Sequence, residues 1–326
     1  MQRLTALWAL GESGLGGMMH ALHMPFTGIF VGGFAVLIIG LIAHYSSNAA
    51  TTLLQSTMLV ILVKAAVSPQ SPPPAYIAVA FQGLLGALLS RTVSHRATAA
   101  ILLGTLSMLE SALQKLLMTT LIFGKSIWIA IDQLGHDILQ DFHLSSGISI
   151  SIWLISIYLI MFLLWGVLLG IWIIRLPRLI AHHQAGIWQQ YHTLIIESKV
   201  ETNNKKHSIY RKILPTLLIL ISVAAILYIS PGGGINKAIY VIVRTIAMLA
   251  LLIVVVQPLL KWLLNRWINK KQSSNRQAVQ DLLDIMPQLR SYVSPAYQIA
   301  GSTHKGIKKY STFILILIVL SLGNDK

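Results

Sequence analysis

Long apolar segments recur along the whole chain and restrict its fold more than any other feature. A run of about 18 or more apolar residues is long enough to cross a bilayer as a helix, whereas a transmembrane β-barrel would show segments of about ten alternating residues. Nine candidate spans are found, at roughly 4–22, 26–45, 51–68, 74–90, 98–124, 147–174, 211–230, 237–264 and 309–323. We therefore expect an all-α, polytopic integral membrane protein of about nine transmembrane helices, with a six-helix N-terminal bundle and further C-terminal helices.

The composition supports the same class of protein. Only 11% of the residues are charged and 55% are hydrophobic, whereas soluble domains have about 25% charged residues. The net charge of +15 comes from basic residues that cluster beside apolar segments, eight in residues 1–180 and seventeen in residues 181–326. Such clusters set topology and contact anionic lipid, so no nucleic-acid partner is expected. The absence of cysteine excludes disulfides and thiol chemistry.

The basic clusters also predict the orientation of the chain. If every span crosses the membrane, the basic connections lie on the same side as the N-terminus, at 91–96, 175–212 and 261–309. Neutral or acidic connections such as "SPQSPPPA" and "DQLGHDILQDFHLSSG" fall on the opposite side. Because basic loops stay in the cytoplasm, we expect a bacterial inner-membrane protein with a cytoplasmic N-terminus and its C-terminus outside.

Near residue 180 the sequence changes from apolar spans with short connections to a basic polar segment, and this change predicts the division into domains. Residues 1–180 are expected to form a six-helix ligand-binding module in the membrane, and residues 181–210 a basic cytosolic connector. Residues 211–326 are expected to hold two to three membrane helices and a basic amphipathic segment at 270–308. Within that segment, we expect interfacial helices that are broken by Pro287 and by Pro295.

Ionisable residues inside predicted spans are the first functional candidates, because a charge in hydrocarbon costs free energy. Glu12, Lys64 and Glu110 are such residues. Lys64 and Glu110 could pair and neutralise each other, or either could meet a polar ligand. The alternatives are a structural ion pair, or a lysine that reaches the membrane surface. Gln114 shares a helix face with Glu110, four residues away.

The proline-rich stretch after Lys64 concentrates polar side chains at a predicted membrane face. Proline fixes φ and removes a hydrogen-bond donor, so "SPQSPPP" must end one helix and rigidly begin the next. Gln70, Tyr76 and Gln82 lie in or just after this break. A stiff turn explains the prolines, and a cavity lined by irregular backbone would explain the polar side chains as well.

The first predicted span is rich in glycine and small residues. Ala9, Ser13 and Gly17 are spaced by four and permit the close approach of another helix. His20 and His23, three residues apart, could ligate a metal or haem. No further ligand lies nearby in the sequence, so we expect neither a metal nor a cofactor of the protein's own.

Three stretches of the first 180 residues carry a resemblance to a known family: "ALWALGESGLGG", "MPFTGIFVGGFAVLIIGLIA" and "KAAVSPQSPPPAYIAVAFQGLLGALL". With its six spans, this region resembles the substrate-binding (S) components of energy-coupling factor vitamin transporters. The resemblance implies a ligand pocket near the outer face, a coupling membrane protein that docks on Ala9, Ser13 and Gly17, and a pair of ATPase subunits. The chain continues well beyond the usual six spans, and the added part lacks the Ala-Arg-Gly-type motifs of a coupling component.

These observations lead to one expected function and two alternatives. We expect a non-enzymatic substrate-binding component for uptake of a small, vitamin-like or cofactor-precursor ligand, energised by a separate ATPase, since the chain has no Walker A or other hydrolytic motif. The expected ligand-binding residues are Glu12, His20, His23, Lys64, Gln70, Tyr76, Gln82, Glu110 and Gln114. The alternatives are a structural or anchoring subunit of a membrane complex, and a lipid-modifying enzyme that uses His182 and His183.

Overall fold

A computed structural model describes most of the chain. It covers residues 1–16, 28–68, 71–141, 149–198 and 274–323, together with four isolated positions at 243, 258, 259 and 262. Within these ranges the protein is helical and has no β-strand. The all-α prediction is therefore confirmed for the part of the chain that is described.

Ten α-helices and two π-helical segments make up the described fold. The helices are α1 (Gln2–Leu10), α2 (Gly33–Tyr45), α3 (Ala49–Val67), α4 (Pro73–Thr92), α5 (Arg96–Phe123), α6 (Ser126–Asp141), α7 (Ile150–Ser198), α8 (Ser274–Ser291), α9 (Val293–Thr303) and α10 (Ile307–Leu322). The π-helical segments are π1 (Gly11–Leu15), which extends α1, and π2 (Gly28–Gly32), which leads into α2.

Five helices of the described chain are long and apolar enough to cross a membrane, and they indicate a membrane protein. They are Gly28–Tyr45, Ala49–Val67, Pro73–Thr92, Arg96–Phe123 and Ile150–Leu194. These match the second to the sixth predicted spans, and large hydrophobic side chains on α4, α5 and α7 are exposed as lipid contact requires. The predicted spans at 211–230 and 237–264 lie outside the described residues, apart from isolated positions, so nine spans are not confirmed.

Helix α1 lies in the interior of the molecule. Every residue from Leu4 to Leu10 is buried, because the helix packs against α2, α3, α8 and α10. The hydroxyls of Thr5 on α1 and Ser56 on α3 are 2.8 Å apart, and successive contacts further along both helices show that they run parallel. A helix that is apolar on every side suits such a central position.

Helices α5 and α7 cross at close range through glycine. A Cβ on Gly166 would lie 2.6 Å from the carbonyl oxygen of Gly104 and 2.7 Å from the Cα of Thr105. One turn further along α7, a Cβ on Gly170 would lie 2.5 Å from the Cα of Ile101. Gly166 and Gly170 form a small-xxx-small pair, the pattern by which membrane helices approach closely.

Helix α6 overlaps the segment "DQLGHDILQDFHLSSG", which was predicted to be a polar connection between two spans. The Asp132 carboxylate accepts hydrogen bonds from the backbone N–H of Ser151, at 2.7 Å, and from its hydroxyl, at 2.9 Å. Ser151 lies in the first turn of α7, where backbone N–H groups lack helical partners and a negative charge is favourable. Asp132 is therefore a helix-capping residue that fixes α6 beside the start of α7.

Helix α7 continues far beyond the sixth predicted span. It has 49 residues and passes through Pro177 without ending, so residues 181–198 of the predicted connector are helical. The domain division itself stays a prediction, since most of 199–273 lies outside the described residues. His182 and His183 are exposed on this extension of α7.

The C-terminal module, which we define as α8 to α10 (274–322), packs on α1 and on the extension of α7. Leu282, Met286 and Leu289 form the buried stripe of α8. Helix α8 runs through Pro287, and Pro295 falls in the first turn of α9, so the two helices separate at 291–293. The expectation that both prolines break the segment was wrong: Pro295 is tolerated because it lies in the first turn of α9, and Pro287 lies inside α8, four residues before its end.

Helix α10, which was predicted as a ninth span, packs against other helices of the chain. It has 16 residues, and Ile316 to Ser321 are buried against α1, α7 and α9. Gly323, which directly follows the helix, accepts a hydrogen bond from Gln184 at 3.4 Å, and the Arg3 side chain lies against Gly323. The described C-terminal end therefore lies beside the N-terminus, contrary to the expectation that the two termini lie on opposite sides.

Candidate functional site

An ion pair between Glu12 and Lys64 joins the π1 segment to α3. Lys64 Nζ donates to Glu12 Oε2 at 2.6 Å, and the two residues are 2% and 5% exposed. The alternative in which Lys64 pairs with Glu110 is thus wrong, and the lysine does not reach the membrane surface. Among the described residues this is the one salt bridge, and it neutralises both charges in a buried setting where an unpaired charge would be costly.

Polar groups from the proline-rich break surround the ion pair. Ser68 Oγ donates to the carbonyl oxygen of Ser13 at 2.8 Å, and the Tyr76 hydroxyl donates to the carbonyl oxygen of Ser68 at 3.4 Å. The Tyr76 ring lies 5.9 Å from Lys64 Nζ. Pro73 and Pro74 form the first turn of α4, where their missing N–H groups cost nothing. The prolines therefore fix the start of α4 against the ion pair.

The next polar group lies between α4 and α5. Gln114 Nε2 on α5 donates to the carbonyl oxygen of Pro74 at 3.0 Å. The two helices are consecutive and antiparallel, so Gln82, eight residues after Pro74, and Ser107, seven residues before Gln114, both lie about 11 Å from this contact along their helices. Gln82 on α4 is thereby brought to the level of Ser107 on α5. Ser107, Glu110, Ser111 and Gln114 share one face of α5 because they are three or four residues apart.

Three buried oxygen atoms in this region have no hydrogen-bond partner. They are Gln82 Oε1, Ser107 Oγ and Glu110 Oε2, which we call the acceptor cluster. Gln82 is 1% exposed and Ser107 is fully buried. A buried polar atom without a partner costs about 1–3 kcal/mol, and such atoms are uncommon in folded proteins. The acceptor cluster is therefore a candidate site for a polar ligand in the described bundle.

The π2 segment closes one side of this region. The position that a Cβ on Gly32 would occupy is 3.1 Å from Gln82 Nε2, 3.3 Å from Met108 Cε and 3.5 Å from Ser111 Oγ. The amide of Gln82 and the hydroxyl of Ser111 thus meet at the backbone of π2. Both π-helical segments flank residues 17–27, and single-turn π-helices are frequent at functional sites.

The structure brings together only some of the predicted binding residues. Gln82 and Glu110 contribute to the acceptor cluster, while Gln114 and Tyr76 hydrogen-bond to backbone carbonyls. Glu12 and Lys64 bind each other. His20, His23, Gln70 and Gly17 lie outside the described residues.

Ser107 and Ser111 were missed by sequence reasoning, although they share a helix face with Glu110 and Gln114. Their spacing of four on an apolar helix that also carries a carboxylate was the available signal. No three histidine, aspartate or glutamate side chains in the described ranges lie close enough together to hold a metal.

Two of the three predicted docking residues, Ala9 on α1 and Ser13 on π1, are buried within the chain. Ala9 is fully buried and Ser13 is 4% exposed, and the Ser13 hydroxyl donates to the carbonyl oxygen of Ala9 at 2.6 Å. A partner that used these two residues would first have to displace neighbouring helices of this chain.

Comparison with protein-family models, with curated proteins and with solved structures finds no match to this chain. Its class follows from the described helices alone: they include five segments apolar enough to cross a membrane, which indicates a helical membrane protein.

Proposed function

We propose that the chain is the membrane-embedded substrate-binding component of a transport system for a small polar ligand. The observation that carries the proposal is the acceptor cluster, because Gln82, Ser107 and Glu110 present buried oxygen atoms without partners between α4 and α5. A ligand that hydrogen-bonds to these atoms would remove the cost of leaving them unpaired. Polar groups of this kind inside a helical bundle are typical of substrate pathways.

In this proposal, the remaining predicted residues either hold the helices in place or are further candidate ligand contacts. The Glu12–Lys64 ion pair holds α1 to α3, and Tyr76 and Gln114 hold the start of α4 against its neighbours. His20, His23 and Gln70 remain candidate ligand contacts, as the resemblance to energy-coupling factor S components suggests. A vitamin-like or cofactor-precursor ligand, a coupling membrane protein and ATPase subunits belong to the same proposal, as does a bacterial inner membrane with anionic lipid at the basic segments.

The proposal is tested by native mass spectrometry of the protein released gently from its own membrane. We expect one small molecule bound to the chain and an ATPase that travels with it. Replacement of Glu110 by alanine should remove the small molecule, whereas replacement of the exposed Asp284 by alanine should leave it bound. A protein assembly that contains neither ligand nor ATPase would refute the proposal.

A structural subunit is the second candidate, and the packing of α8 favours it. This helix packs on α1 and α3, and its end is joined to α7 by ring contacts of Tyr292 with Tyr191 at 5.5 Å and with Trp188 at 6.4 Å. The C-terminal module thereby packs on α1, the helix on which the family resemblance places the contact with a coupling partner. In this case the exposed face of the module would be the functional part, and Glu110→Ala would leave function intact.

A further inference from the structure

We infer that the acceptor cluster recognises a small cationic group, either an alkali-metal ion or the terminal ammonium group of an organic ligand. The inference rests on the proposed function, since it names the chemistry that the same site would bind. Gln82 Oε1 and Glu110 Oε2 are acceptors without a proton to donate when the carboxyl is ionised, and the Ser107 hydroxyl can also accept. The site therefore matches a group that brings positive charge or N–H donors.

The surrounding charges support a cation. Glu110 is the one acidic residue of α5, and no described lysine or arginine forms a salt bridge with it. Lys115, the other ionisable side chain between Ala97 and Phe123, is exposed. An ionised Glu110 beside two neutral oxygen donors thus has a net charge of −1, which a monovalent cation would balance. An anionic ligand would meet the ionised carboxylate of Glu110 and would be repelled.

The backbone of π2 packs closely beside the cluster. Gly32 has Gln82, Met108 and Ser111 within 3.5 Å of the position that a Cβ would take. At the start of π2, a Cβ on Gly28 would lie 3.4 Å from Ser111 and 3.9 Å from the Phe162 ring. A small cation suits such close packing better than a bulky head group such as a trimethylated amine does, and both an alkali-metal ion and a primary ammonium group prefer oxygen ligands.

Gly32 itself is part of this recognition. Its lack of a side chain lets the backbone of π2 approach Gln82 and Ser111. A Cβ at this position would lie so close to Gln82 and Met108 that their side chains would have to shift by a few tenths of an ångström.

Radioligand binding to the full chain in nanodiscs of zwitterionic lipid tests the inference directly. Labelled sodium and labelled methylammonium are the probes, with choline replacing other cations at constant ionic strength. We expect saturable binding of at least one probe at about one site per chain. Competition between the two probes shows whether they share one site, and the probe with the lower dissociation constant identifies it as a metal-ion site or an ammonium site. No saturable binding of either probe would overturn the inference.

Three variants assign the binding to the cluster. Glu110→Gln keeps the size and removes the charge, and should weaken binding about tenfold or more because a charge-assisted contact is lost. Ser107→Ala removes one hydroxyl with little change of shape and should weaken binding severalfold. Asp284→Asn is the matched control, since it removes the same charge from an exposed position on α8, and it should bind as the unaltered chain does. Equal binding by Glu110→Gln and the unaltered chain would overturn the inference.

The two proposals can fail separately. If native mass spectrometry finds a transported ligand without a positive group, the proposed function stands and the cation inference fails. If a cation binds with the expected dependence on Glu110 but neither uptake nor an ATPase is found, the cation site stands and the transport function fails.

Discussion

Glu12 and Lys64 illustrate how one buried contact between single residues joins distant parts of the sequence. They are 52 residues apart and lie 2.6 Å from each other at their charged atoms. Each was suspected from the sequence because a charge in an apolar segment is costly. Their pairing was not predicted, since the fold of α1 against α3 decides which acid meets the lysine.

Removal of one partner of this ion pair should destabilise the protein more than removal of both. Lys64→Met leaves a buried carboxylate without a partner and should cost about 3–5 kcal/mol of unfolding free energy. The double variant Glu12→Gln with Lys64→Met removes both charges and should recover most of that loss. Unfolding by sodium dodecyl sulfate titration measures both values. A double variant as unstable as the single one would contradict a pairwise interaction.

Removal of the Glu110 side chain, unlike removal of the Lys64 charge, should not destabilise the protein. Its carboxylate oxygen Oε2 has no hydrogen-bond partner, so Glu110→Ala should leave stability unchanged or raise it by about 1 kcal/mol. Ligand binding should be abolished in the same variant. The two measurements are the detergent unfolding titration and the recovery of the small molecule in native mass spectrometry. A large loss of stability would show that Glu110 is structural.

Among the elements, the crossing of α5 and α7 depends most strictly on glycine. Gly166→Ala would place a methyl group 2.6 Å from the Gly104 carbonyl oxygen, so the two backbones must separate. We expect a loss of about 1–3 kcal/mol in the same unfolding titration. The matched control is Gly186→Ala on α7, which has nothing within 4 Å and should stabilise by about 0.5–1 kcal/mol. Similar effects of the two changes would argue against a tight crossing.

The start of α7 depends on Asp132 of α6. Asp132→Ala removes both hydrogen bonds to Ser151 and should lower stability by about 1 kcal/mol, as the loss of a helix cap does. Asp132→Asn retains an acceptor without the charge and should lose less. Hydrogen exchange at the first amides of α7 measures the local effect. Unchanged exchange in the alanine variant would show that the cap is dispensable.

Hydropathy predicted several of these helices correctly but assigned α10 to the membrane, and one physical reason explains both outcomes. It identified the candidate membrane-spanning segments in α2 to α5 and in the first half of α7, because their apolar runs reach about 18 residues. The apolar run of α10 gave the same signal, although Ile316 to Leu320 are buried by protein. An apolar segment avoids water in either setting, so sequence alone does not distinguish lipid from a neighbouring helix.

At the scale of the whole molecule, the two described ends lie together. Gly323 lies against the Arg3 side chain and accepts a hydrogen bond from Gln184. We therefore expect reporters fused to the N-terminus and to the C-terminus to lie on the same side of the membrane. Paired fusions to green fluorescent protein and alkaline phosphatase measure this. Signals from opposite sides would contradict the packing of α10 and restore the topology expected from nine crossings.

The length of α7 has a mechanical consequence. At about 1.5 Å per residue, a helix of 49 residues extends roughly 70 Å, more than twice the hydrocarbon thickness of about 30 Å. One half lies against α5, which carries Ser107 and Glu110, and the other half contacts the C-terminal module. A tilt of about 5° over half the length of such a helix displaces its far end by about 3 Å. Binding of the proposed ligand near Ser107 and Glu110 could thereby move the part of α7 that contacts the C-terminal module.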